Sequence, residues 1–83
     1  MEEQKIFEEF KNILKAYTKD TALLDKATKD THILKDLKVN SARLVDVIIK
    51  CEDIFGITID DEEADKIGTI GDAMTLIANK MGS

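Results

Sequence analysis

Ile6, Phe7, Phe10, Ile13, Leu14 and Tyr17 recur at spacings of three and four, with Glu8, Glu9, Lys11, Asn12 and Lys15 between them. One apolar stripe opposite a charged face predicts an amphipathic helix over residues 3–17, its aromatics serving as core. From residue 18 to 40 no periodicity is sustained, and Thr-Lys-Asp occurs twice, at 18–20 and 28–30. That stretch predicts a long connection with local turns. A loop of this length in a compact domain needs anchors, and Leu23, Leu24, Ile33, Leu34 and Leu37 are the candidates. A short helical turn is expected within Thr31–Leu37.

The longest apolar run opens at Ser41 and closes at Phe55. Leu44, Val47, Ile48, Cys51 and Phe55 fall on one helical face. Val45, Ile49 and Ile54 broaden it, leaving Arg43, Asp46, Lys50, Glu52 and Asp53 for solvent. So wide a sector predicts contact with more than one neighbour, and hence the central helix of a bundle. Ser41 is read as its N-cap, because a serine oxygen accepts from an orphan N–H of the first turn. Gly56 is read as its terminator, where positive φ carries no steric cost. Ile57-Thr-Ile59 has strand-like alternation but no partner strand, so it reads as extended linker. A short third helix follows over 60–67, with acids at its start and Lys66 near its end. The last helix, 70–81, begins at Thr69 or Gly71 and carries Ile70, Ala73, Met74, Ile77 and Met81 on its stripe; Gly82 and Ser83 are expected to fray.

Eighty-three residues make a single domain spanning 1–83, whose thin core calls for well-packed helices. The net charge of −5 is unevenly placed. Residues 1–40 balance eight acids with eight lysines, whereas 41–83 set nine acids against Arg43, Lys50, Lys66 and Lys80. The resulting acidic stripe, Asp46 to Asp65, would repel nucleic acid and anionic lipid and attract basic protein surfaces. No signal-peptide pattern or bilayer-length apolar stretch is present, so no membrane insertion and a cytoplasmic location are expected. The lone Cys51 sits in the apolar pattern and reads as a buried structural thiol. With one histidine (His32) and one cysteine, no zinc site or Cys/His nucleophile pair can be built. Residues 60–65 lack the spacing of a calcium loop, and no glycine-rich phosphate cradle occurs. No metal site and no enzymatic activity are expected. A serine hydroxyl at a helix tip, however, sits where a phosphate ester would be favoured.

Three segments carry a family likeness: Leu37-Lys-Val-Asn-Ser-Ala-Arg-Leu-Val-Asp-Val47, Glu52-Asp-Ile-Phe-Gly-Ile-Thr-Ile-Asp-Asp-Glu-Glu-Ala-Asp-Lys-Ile67, and Thr69-Ile-Gly-Asp-Ala73. Across roughly 33–77 the chain resembles an acyl carrier protein. The resemblance implies an all-α, four-helix bundle with three longer helices, a short third one and a long loop between the first two. It implies that Ser41 carries 4′-phosphopantetheine, added from coenzyme A by a phosphopantetheinyl transferase, and that acyl groups ride on the arm as thioesters. It also implies partner recognition by Asn40, Ala42, Arg43, Asp46, Glu52 and Asp53, the acids meeting basic patches on acyl-loading and acyl-processing enzymes. Such carriers act as monomers in fatty acid biosynthesis or in specialised polyketide and lipid-modification pathways. Val47, Ile48, Cys51, Phe55, Ile67, Ile70 and Met74 would be either walls for an acyl chain or packed core.

The motif departs from the family pattern. Asn40-Ser41-Ala42 stands where Asp-Ser-Leu is usual, Arg43 where an acid or polar residue is common, and Lys38 where glycine is customary. These changes make the entrance less acidic and suggest a dedicated partner set. They also keep open an unmodified acidic interaction module, and an aminoacyl or peptidyl carrier shares the same chemistry.

Overall fold

In the computed structural model, which describes residues 2–18 and 21–82, five helices follow one another: α1 Glu3–Lys15, α2 Thr21–Asp25, α3 Ser41–Phe55, α4 Asp61–Asp65 and α5 Ile70–Lys80. The all-α class and the short helix before the last agree with the sequence reading. One element is additional, because α2 lies inside the stretch read as loop. Met1, Lys19, Asp20 and Ser83, and with them part of the first Thr-Lys-Asp and the expected fraying of Ser83, lie outside the described residues.

Helix α1 buries Ile6, Phe10, Ile13 and Leu14, with Glu3 in its first turn and Lys15 in its last, as the helix dipole favours. It ends at Lys15, two residues before the expected Tyr17. Helices α5, α3 and α2 all pack against it. The central position expected for the Ser41–Phe55 helix therefore belongs to α1. The reason lies in the burial pattern of α3. Leu44, Val47, Ile48, Cys51 and Phe55 are buried, but Val45, Ile49 and Ile54 are exposed by 55%, 57% and 45%. The three residues expected to widen the buried sector instead face solvent.

Between α3 and α5 the chain is held by polar contacts together with buried isoleucines. The carboxylate of Glu52 accepts from the N–H of Ile59 at 3.0 Å, fixing the linker against the end of α3. Ile59 and Ile67, on either side of α4, are buried, whereas α4 itself buries no residue. Asp60 and Glu63 form a reciprocal capping box at its start. Glu63 Oε1 also meets Lys80 Nζ at 2.7 Å, tying α4 to the last turn of α5. A second capping box, Thr69 with Asp72, opens α5. The N–H groups of Thr69 and Gly68 hold the Asp72 carboxyl below the usual carboxylate range.

Of the five expected anchors of the long connection, Leu24, Ile33 and Leu37 are fully buried, and Leu23 and Leu34 pack half-buried against the core; Ala27 joins them. The stretch 29–33 is stitched to the start of α5: Gly71 N–H donates to Lys29 O at 2.8 Å, Ile70 N–H to Thr31 O at 3.0 Å, and Ile33 N–H to Gly68 O at 2.9 Å. His32 and Thr69 form an isolated antiparallel bridge at its centre. A side chain at Gly71 would place its Cβ 3.0 Å from Lys29 O, a tight contact that glycine avoids. The turn expected within Thr31–Leu37 is present, with Asp36 N–H donating to His32 O at 2.8 Å. Val47, Ile48, Cys51, Phe55, Ile67, Ile70 and Met74 all belong to the single buried core.

Candidate functional site at the start of helix α3

The segment leading into α3 alternates between anchor and surface. Leu37 and Val39 are buried, while Lys38, Asn40 and Ser41 are exposed. Thr18 Oγ1 donates to Leu37 O at 3.0 Å, fastening this segment to the end of α1. The apolar anchors thus fix where the helix begins, and the residues just after them emerge at the surface.

Ser41 is not the cap of that helix. Asn40 is: its backbone is extended, and its Oδ1 accepts from Arg43 N–H at 2.8 Å. Ser41 is the first helical residue. Asparagine caps as well as serine does, so the signal was already in the sequence, one position earlier. The consequence is chemical. With the amide of Asn40 satisfying the first turn, the exposed Ser41 hydroxyl has no capping duty, and it stands at the positive end of a 15-residue helix.

Lys38 has φ +56°, the only non-glycine residue in the left-handed region among the described residues. An L-residue there costs roughly 1–2 kcal/mol, which glycine avoids. Lys38→Gly is therefore expected to stabilise the protein by about 1 kcal/mol, read as a higher urea midpoint at unchanged slope. A lower midpoint would show that the lysine side chain contributes more than its backbone loses.

Ala42, Val45, Asp46, Ile49 and Asp53 are all exposed, and helical periodicity places them on one outward face. Arg43 is exposed on the flank nearer α1. Glu52 differs from the other two acids, being half-buried with one oxygen engaged by Ile59 N–H. Cys51 faces the opposite way, 1% exposed. Burial, and secondarily the charge of Glu52, push its thiol up to about 12, so it is neither nucleophile nor ligand at neutral pH. His32 lies in the stitch between the long connection and α5, its Nδ1 accepting from Lys35 N–H at 3.3 Å. No helix among the described residues is long and apolar enough to cross a membrane.

The chain is a small all-α bundle with an exposed serine at the start of an acid-bearing helix. Comparison with known proteins identifies its family. No family model matches the chain. Curated relatives do: the acyl carrier protein of Lactobacillus acidophilus is 38% identical over 84 residues, covering 99% of this chain and all of that one. That of Coprothermobacter proteolyticus is 35% identical over 83 residues, covering 98% and 96%. The solved structure of the acyl carrier protein from Enterococcus faecalis superposes with a TM-score of 0.79 at 28% identity, covering 96% of this chain and 99% of that one. The chain belongs to the acyl carrier protein family.

Proposed function

We propose that this protein carries acyl groups on a 4′-phosphopantetheine arm esterified to Ser41, within the cytoplasm and without catalysing a reaction itself. The observation that supports it is the exposed Ser41 hydroxyl, freed from capping by Asn40. The surroundings suit a phosphodiester: the positive end of α3 lies behind it, and the cations Lys38 and Arg43 flank it. When bound, the arm supplies a terminal thiol on which acyl groups are held as thioesters. The residues of the chain do the rest. Asn40 fixes the first turn, Leu37 and Val39 hold the serine at the surface, and Ser41 Oγ offers the nucleophilic oxygen. Displacement at the pantetheine-bearing phosphorus of coenzyme A would form the Oγ–P bond and release adenosine 3′,5′-bisphosphate.

Asp46 and Asp53 are free to meet basic surfaces on the transferase and on acyl-loading and acyl-processing enzymes, and Glu52 contributes charge with one oxygen already engaged. Asp46→Lys is expected to lower kcat/KM for modification severalfold at low salt and less at high salt, with the fold intact. An unchanged rate at low salt would remove this acid from the contact surface. Asn40 and Ala42 favour one other reading, an unmodified interaction module. Intact mass after incubation with coenzyme A and a broad-specificity phosphopantetheinyl transferase separates the two. The carrier gains one arm, Ser41→Ala gains none, and a wild type that gains nothing with several transferases is the interaction module. Fatty acid synthesis and a specialised acyl pathway are both open to such a carrier, and the loading enzymes it accepts distinguish them.

A further inference from the structure

Beside Ser41, a cleft of about 410 Å³ opens between the end of α1 and the segment from Leu37 to Arg43. Tyr17 and Leu37 give it apolar walls, and Lys38 and Arg43 are the charged residues that line it. Both cations are exposed. The ion pairs among the described residues join Lys29 to Glu3 and Lys80 to Glu63, leaving Lys38 and Arg43 unpaired there. Lys38 also occupies left-handed backbone that glycine would adopt without strain. Strain of this kind collects where a side chain has a task.

We propose that this cleft receives an acidic side chain of a partner enzyme, so that α3 is read as a dipole and not as a uniformly acidic surface. The biological setting rests on the carrier reading; the charge arrangement does not. Lys38, just before α3, and Arg43, in its first turn, stand at the Ser41 end, and the exposed acids Asp46 and Asp53 follow on later turns with the exposed Lys50 between them. Exposed Val45 and Ile49 supply apolar contact beside them. A wholly basic partner face would set like charges against Lys38 and Arg43, which disfavours docking. A face with a carboxylate near the serine and bases opposite Asp46 and Asp53 is complementary at both ends, with Lys50 the one exposed cation between them. The Arg43 guanidinium can grip that carboxylate through two parallel N–H bonds, and the Tyr17 hydroxyl can donate a further one.

The test titrates the apo protein, ¹⁵N-labelled, with hexaglutamate, hexalysine and inorganic phosphate at matched ionic strength. Hexaglutamate is expected to shift the amides of Tyr17, Leu37, Lys38 and Arg43, and hexalysine those around Asp46 and Asp53. Arg43→Glu is expected to weaken hexaglutamate binding about fivefold, the upper end for one exposed ion pair. Lys38→Gly, whose fold is relieved and not strained, is expected to weaken it too. Hexaglutamate shifts that avoid the cleft, or that persist in both variants, would overturn the proposal. So would cleft shifts that inorganic phosphate produces at concentrations as low as hexaglutamate needs, which would make the cleft an unselective anion site. Ser41→Ala is titrated in parallel and is expected to respond as wild type does. A failure of arm attachment therefore leaves this result standing, and the reverse also holds.

Discussion

Truncating Leu24 to alanine is expected to destabilise the protein by about 2–5 kcal/mol, the range for deleting a fully buried leucine. A five-residue helix has no stability of its own, because its nucleation is unfavourable and too few bonds follow. Helix α2 persists because Leu24 is 0% exposed, inserted into the core that α1 organises. A chain of this length has a total stability of roughly 4–12 kcal/mol, so the loss would consume a large share of it. Equilibrium urea unfolding measures the effect. A change below about 1 kcal/mol would mean that α2 lifts off the bundle and contributes little to it.

The second large effect is a dependence on alkaline pH. In the unfolded chain the Cys51 thiol titrates near its ordinary 9.0, whereas burial in the fold pushes it up to about 12. Between those values the unfolded state has lost a proton that the folded state keeps. Stability conferred by the raised value is fully present below pH 9 and declines as pH rises through that window, by on the order of 4 kcal/mol at its end. Cys51→Ala should remove this component of the slope, whatever other groups add to both proteins. Parallel slopes for wild type and variant would place the thiol in contact with water. The same burial predicts that iodoacetamide alkylates Cys51 far more slowly in the folded protein than in the urea-unfolded chain.

Much of the bundle was legible because periodicity and burial coincide. The stripes of α1 and α5 marked core residues, and Gly56 terminates α3 at φ +65° as its position suggested. Helix α2 was hidden by its length. Five residues span little more than one turn, too few for a 3.6-residue period to separate Leu23 and Leu24 from a pair of loop anchors. Val45, Ile49 and Ile54 misled in another way. An apolar side chain reports hydrophobicity but not which neighbour covers it, and these three are left uncovered on α3. The stitch of Lys29, Thr31 and Ile33 to α5 uses backbone groups, which leave no mark in side-chain pattern.

At the site, the position of Ser41 was readable and its local role was not. Asparagine followed by serine offers two adjacent capping residues, and the choice between them depends on where Leu37 and Val39 bury. That choice is the physical basis of the functional reading, since a capping serine would have its oxygen engaged and an N1 serine does not. Lys38 shows the same division. Its charge was visible in the sequence, but its left-handed backbone became visible only once the chain was folded.

The most direct measurement is a fragment mass spectrum of the protein after incubation with coenzyme A and transferase. The arm is expected on Ser41, in the one peptide that contains Asn40-Ser41-Ala42, and not on Ser83, the other serine of the chain. An unmodified Ser41 peptide after exposure to several active transferases, or an arm found on any other residue, would contradict the account.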